Sequence, residues 1–213
     1  MANTSRITGF RPVSYLNGTP WNGQARTYVI PAGNGTATSI GDVVIPDTAA
    51  TDGYPACARM TNGATEVPVG VVVGIYPISP VVTSLAGGGS NDVNLSNLYR
   101  SASTKTFVWV ADDPNIIFEA EFDSAGDQPN HEDVGANYDI VLGSGTDTTT
   151  GASSMTIDAS SEVTTAATPL RLVGLVQRPD NDITDADDPL YQRGLVIFNL
   201  HAFKSDAGTA GLA

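Results

Sequence analysis

Short apolar runs alternate with clusters of Gly, Pro, Asn and Asp along most of the chain. Each run has the length of a strand, and the intervening residues are those that turns require. The run at 69–76 is apolar on both faces, as in a fully buried strand. The pattern predicts an all-β fold, a compact barrel or sandwich with long loops and an extended N-terminal arm. The predicted strands are 27–30, 41–45, 55–60, 69–76, 106–110, 116–122, 138–142, 155–157, 170–177 and 194–200.

The clearest local signal predicts a hairpin at 107–122. Two alternating runs, 106–110 and 116–122, flank the turn residues 112–115, and alternation places every second side chain on one face. The second run puts Phe118 and Phe122 on the expected core face. The sequence does not decide which side chains of the first run share that core face, Phe107 and Trp109 or Val108 and Val110.

Residues 1–26 show no clean period and are predicted to form an extended arm. Apolar groups in an irregular segment have to be covered, so the arm either folds back on its own domain or reaches a neighbouring subunit. Arginine and aromatic side chains are common interface anchors. The candidate interface residues are Arg6, Ile7, Phe10, Arg11, Tyr15 and Trp21.

The rest of the chain is predicted to be one β domain at 27–204, followed by a flexible tail at 205–213. A weak repeat, in which a short strand precedes a Val-Gly-x-Val strand, raises the alternative of two similar β units at about 27–122 and 137–204. Chance similarity between valine-rich strands is the simpler explanation of the repeat. The irregular stretch at 77–105 is long for a loop, and loops of that length are often functional.

Charge and cysteine content narrow the classes of function. The net charge is −13 and only two lysines occur, a balance that disfavours binding to nucleic acid. No apolar run is long enough to span a membrane, and the polar start predicts no signal peptide, so we expect synthesis in a cytoplasm. Cys57 is the single cysteine and is predicted to be a buried apolar residue.

No catalytic, cofactor or metal motif stands out. The two histidines, His131 and His201, are far apart and lack ligand spacing. The acidic loop at 180–188 has oxygens suited to Ca²⁺ but lacks the pattern of an EF-hand, so a solvated loop is the simpler interpretation. Glu119 and Glu121 resemble a glycosidase pair in type, yet their alternation with apolar residues predicts a solvent-facing surface.

Four stretches of the sequence resemble virion structural proteins of tailed bacteriophages, in particular capsid decoration (cement) proteins. They are 1–13 (MANTSRITGFRPV), 107–115 (FVWVADDPN), 174–181 (GLVQRPDN) and 199–201 (NLH).

The resemblance implies a structural protein without catalytic residues or cofactor. It implies binding to the major capsid protein on the exterior of an icosahedral virion, where the protein braces joints between subunits. Self-association is also implied, with a trimer favoured over a dimer.

Two further functions remain open at this point. A carbohydrate-binding or adhesive β module is suggested by Gly/Thr/Asp-rich loops and by the aromatic residues Trp21, Tyr54 and Tyr99. An enzyme that uses scattered carboxylates is the least supported class, because no local motif points to one.

Overall fold

The computed structural model describes residues 3–49, 53–76, 98–145, 147–183, 190–204 and 207–211. The fold is all-β, as predicted. In chain order the strands are β1 Arg11–Tyr15, β2 Arg26–Ile30, β3 Thr38–Ser39, β4 Val43–Asp47, β5 Ala56–Arg59, β6 Gly70–Ile75, β7 Tyr99–Arg100, β8 Thr106–Ala111, β9 Ile116–Glu121, β10 Asn137–Tyr138, β11 Ile140–Val141, β12 Thr156–Ile157, β13 Leu170–Leu175 and β14 Arg193–Phe198. In these ranges no helix is long and apolar enough to cross a membrane.

The first half of the chain forms a closed barrel of strand order β2-β5-β4-β6-β8. Closure leaves none of the five strands with an unpaired edge. The β2–β8 pair completes the ring, with Tyr28 opposite Val108. Apolar side chains fill the interior, among them Val44, Val72 and Cys57. The prediction of a buried Cys57 is confirmed.

An open sheet of order β1-β9-β14-β13-β10 packs beside the barrel. Its core face and part of the outer barrel wall enclose the largest apolar cluster among the described residues. Phe118 and Val196 come from the sheet, whereas Val43 and Val71 come from the barrel. The two bodies therefore share one core.

The predicted hairpin at 107–122 is wrong in its pairing. Both strands exist, but β8 pairs with β2 and β6 in the barrel, and β9 pairs with β1 and β14 in the sheet. The chain passes from one body to the other at residues 112–115. Phe118 and Phe122 are buried as predicted. Neither of the two open sets joins them in their cluster, because Val108 and Val110 point into the barrel while Phe107 and Trp109 lie on its outer wall.

The N-terminal segment joins the chain's own sheet. β1 lies antiparallel to β9, with Arg11 opposite Glu119 and Tyr15 opposite Ile116. The described part of the C-terminal tail is also held, since Asn137 Nδ2 donates to the carbonyl oxygen of Thr209 at 2.9 Å. In the first unit of the predicted repeat β4 pairs antiparallel with β6, and in the second unit β10 pairs antiparallel with β13 while β11 pairs with β12.

Candidate interaction surface

The segment before β1 lies across the outer face of the open sheet. The carboxylate of Glu121 on β9 accepts hydrogen bonds from Ser5 Oγ at 2.8 Å and from the backbone N–H of Arg6 at 2.7 Å. Asn3 and Asp182 exchange two further bonds, at 3.0 and 2.6 Å. The start of the described chain is thus attached both to the sheet and to the loop that follows β13.

Glu119 is the centre of an ion-pair network on the same face. Arg178 binds it with two guanidinium nitrogens, at 2.7 and 3.1 Å, and Arg193 adds a contact at 3.0 Å. Such paired, planar contacts are among the strongest hydrogen bonds in proteins. Arg193 also donates to the backbone carbonyl of Arg6 at 2.8 Å. The network therefore holds β9, β14 and the N-terminal segment together.

The prediction that Glu119 and Glu121 face solvent is wrong. Only 8% of Glu119 and 4% of Glu121 is exposed. Their strand does alternate, but arginines from distant segments cover the second face. Burial would raise the pKa of Glu119, yet the hydrogen bonds and charges of Arg178 and Arg193 outweigh it and hold that pKa below its usual value. A carboxyl group of this kind has no proton to donate near neutral pH, unlike a glycosidase acid.

The six candidate interface residues lie in different environments. Arg6, Ile7 and Arg11 are exposed, and the Arg6 guanidinium lies 3.4 Å from Asp180. Tyr15 and Trp21 are partly buried against the shared core.

Phe10 departs from the others because only 1% of it is exposed. Its ring lies in the core between barrel and sheet, since a large aromatic side chain gains most when fully removed from water. Phe10 therefore anchors the segment internally and is not available to a partner.

Arginine is concentrated on this side of the molecule. Arg6, Arg11, Arg178 and Arg193, hereafter the arginine face, are four of the ten basic residues in a chain of net charge −13. Arg11 lies directly across the strand pair from Glu119. The sequence pattern predicts Arg6 and Arg11 as interface residues but does not indicate Arg178 and Arg193. The signal was present in the two glutamates, which need cations if they are buried.

A shallow apolar groove of about 380 Å³ adjoins the arginine face. Pro12 and Trp21 line it from the N-terminal segment, and Ile40 and Val73 line it from the barrel side. Ile40 is 43% exposed. Charged and apolar groups thus lie next to each other on one surface.

No metal site is evident among the described residues, where no group of three His, Cys, Asp or Glu side chains is placed to hold an ion. The acidic loop at 180–188 is only partly described, because residues 184–189 lie outside the described ranges. Its first carboxylate, Asp180, contacts Arg6 and Arg178. Residues 77–97 of the long predicted loop also lie outside those ranges.

Comparison of the chain with protein-family models, curated proteins and solved structures gave no significant match. The fold and the surface chemistry are therefore the basis for the functional argument. They define an all-β protein with a closed barrel, an attached sheet and one arginine-rich face.

Proposed function

We propose that the chain is a non-enzymatic structural protein of a virion. It binds the outer surface of an icosahedral capsid and stabilises contacts between major capsid subunits. The observation that carries the proposal is the arginine face, on which Arg6 and Arg11 remain exposed in an otherwise acidic protein. The sequence resemblance to phage decoration proteins supplies the identity of the partner.

The physical chemistry of the arginine face favours a protein partner that presents carboxylates. A guanidinium group binds carboxylates in a fixed, two-pronged geometry. The exposed aliphatic side chains Ile7 and Leu16 and the apolar groove add surface that a partner would remove from water. A net charge of −13 disfavours a phosphate backbone as the partner.

Attachment of the segment 3–6 to the sheet makes this surface ordered before binding. Ordered side chains lose less conformational entropy on association than those of a free arm. The proposal therefore assigns binding to a preformed surface. On the virion exterior the protein would act as a homo-oligomer, with a trimer favoured over a dimer by analogy with decoration proteins.

The test uses particles made by the virus that encodes the chain, purified on a density gradient. We expect the protein to co-purify at a high and fixed ratio to the major capsid protein. For rebinding, Arg11→Glu is compared with Lys204→Glu, at an exposed position after β14. Arg11→Glu should weaken particle binding at least about tenfold, as expected for an interface anchor, and Lys204→Glu should bind like the unmodified protein.

Absence of the protein from purified particles would refute the capsid role. Equal binding by both variants would refute the arginine face as the contact. Deletion of residues 1–21 is a poor substitute, because it removes both β1 and the buried Phe10 and should unfold the sheet. Sedimentation velocity of the isolated protein tests the trimer, and a monomer both in solution and on particles would exclude it.

A further inference from the structure

Aromatic side chains form a row on the outer wall of the barrel, away from the interior valines. The rings of Tyr54 and Phe107 lie 5.4 Å apart, those of Phe107 and Tyr76 6.4 Å, and those of Tyr76 and Trp109 4.2 Å. We call these four residues the aromatic row. None of them belongs to the arginine face or to the groove beside it.

The members of the aromatic row are not equally covered. Phe107 is 2% exposed and packs with Val29 and Ala56, so it is the floor of a small outer cluster. Tyr54 and Tyr76 are half-buried against that cluster. Trp109, by contrast, is 40% exposed. Core packing accounts for the aromatic residue at position 107, but it does not account for the large indole of Trp109, which remains in contact with water.

The neighbours of Trp109 leave its ring open. On the adjacent strands it pairs with Thr27 and with Gly74, two small residues. A Cβ atom at Gly74 would lie 2.5 Å from Cε3 of the indole. The indole therefore packs directly on the backbone of β6, and only a glycine permits that approach. The strand supports the ring, Tyr76 packs against it at 4.2 Å between centroids, and 40% of Trp109 stays exposed.

Hydroxyl groups lie beside this supported ring. Thr27 Oγ1 and Tyr76 Oη are 2.8 Å apart and share a hydrogen bond at the edge of the row. An aromatic face carries partial negative charge, which attracts the slightly positive C–H bonds on the flat side of a sugar ring. The hydroxyl pair offers a donor and acceptors to the sugar hydroxyls at the rim. This combination of an apolar platform with a few polar groups is typical of small-ligand sites.

We propose that the aromatic row is a binding site for a neutral glycan of β-linked, gluco-configured pyranose units, with one sugar ring stacked on Trp109 beside Tyr76 and Thr27. Pyranoses of this class carry their substituents equatorially and present a flat C–H face. An acidic chain disfavours anionic sugars. This site is independent of the proposed capsid role, because it uses a different part of the surface.

The test exploits the two tryptophans, Trp21 and Trp109. In the Trp21→Phe protein all indole fluorescence comes from Trp109. Cellohexaose and chitohexaose are the probes, and emission wavelength and acrylamide quenching are the readouts. We expect a saturable shift to shorter wavelength and protection from acrylamide with at least one probe. In the Trp109→Phe protein, which retains Trp21, the same sugar should give neither change.

Gly74→Ala supplies a variant that keeps Trp109 but tilts its ring. It should weaken sugar binding about tenfold or more, the size expected for loss of a well-formed stack. Circular dichroism and the melting temperature establish that each variant is folded. For a variant that does not fold, saturation-transfer NMR on the unmodified protein replaces it, with the probe C–H protons expected to receive magnetisation from aromatic protons.

Two results would overturn the proposal. In the first, neither sugar changes Trp109 fluorescence or gives saturation transfer at concentrations up to about 10 mM. A site that does not bind at that concentration would have a dissociation constant too high to be useful. The other is a Trp109 emission that changes with protein concentration and not with sugar, because the row would then be covered by a second copy of the chain.

Discussion

The barrel and the open sheet differ in how the second face of their strands is removed from water. The barrel interior is lined by apolar side chains such as Val44, Val72 and Val110. The outer face of the sheet instead covers Glu119 and Glu121 with arginines and with the N-terminal segment. A closed ring of strands hides one face by its own curvature, whereas an open sheet has to obtain a cover from elsewhere in the chain.

This difference separates two kinds of stabilisation. The cover of the sheet is electrostatic and depends on pH, while the barrel interior depends on packing. Both bodies rely on the shared core between them, to which Val71 and Phe118 contribute from opposite sides. Disruption of the shared core should therefore have the largest effect, and disruption of the polar cover a smaller one.

Phe118→Ala should lower the free energy of unfolding by about 3–5 kcal/mol, because it leaves a cavity where the two bodies meet. The ring is 1% exposed and lies 5.1 Å from that of Phe198. Urea titration measures the change, with Leu16→Ala, a 46% exposed position, as the control. A loss of about 1 kcal/mol or less would show that the shared core is less important than its size indicates.

His201, which lies near the junction of the two bodies, should make the stability of the protein depend on pH. Burial, aided by the cation Lys204, lowers its pKa from 6.5 to about 4. Between these values the unfolded chain binds a proton that the folded chain does not. Stability should therefore fall as the pH drops from 6.5 to 4, by up to about 3 kcal/mol at 1.36 kcal/mol per pH unit.

Thermal unfolding over that pH range tests the effect of His201. His201→Gln, which cannot titrate, should remove most of the slope, whereas His131→Gln at an exposed position should leave it unchanged. An unaltered slope in His201→Gln would assign the pH dependence to other groups.

Glu119→Gln should cost about 2 kcal/mol, since it keeps the shape of the side chain but removes the charge that Arg178 and Arg193 neutralise. Because the folded pKa of Glu119 is lowered, its contribution is complete above the ordinary value of 4.5 and declines as the pH falls further. The difference between the unmodified protein and Glu119→Gln, measured by urea titration, should thus shrink below pH 4.5. A constant difference would show that packing rather than charge is lost.

Labelling of Cys57 gives the smallest expected signal and reports on the barrel alone. The thiol is fully buried in the interior, and burial raises its pKa to about 12. Its reaction with a thiol reagent should be no faster than global unfolding allows, both in the unmodified protein and after Lys105→Ala on the surface. Faster labelling that does not follow global stability would mean that the barrel opens separately from the sheet.

Local patterns in the sequence were sufficient to locate most strands. The alternation at 116–122 predicts the strand β9 and the burial of Phe118, and the valine-rich run at 69–76 predicts β6. In these cases the side chains along one strand carry the information, because burial on one or both faces determines which residues are apolar. β3 and β7 are only two residues long, and β1 contains Pro12, which is typical of a turn and hides the strand in the sequence.

Pairing and the polar cover were not predictable from local patterns. β8 and β9 look like a hairpin because they are adjacent in sequence, but each finds its partners in distant segments. Glu119 looks solvent-facing until Arg178 and Arg193, which lie 59 and 74 residues further along the chain, are placed beside it. A single sequence does not indicate which arginine pairs with which carboxylate when the two are far apart along the chain.

The pairing of β1 with β9 affects the newly made protein on the ribosome. Tyr15 pairs with Ile116, so about 100 residues have to be synthesised before the first strand meets its partner. At roughly 5–20 residues per second, that interval is about 5–20 s. All barrel strands emerge before β9 does, and the barrel has no need of β1 for closure. Throughout this interval the edge of β1 that pairs with β9 is open to chaperones and to other nascent chains.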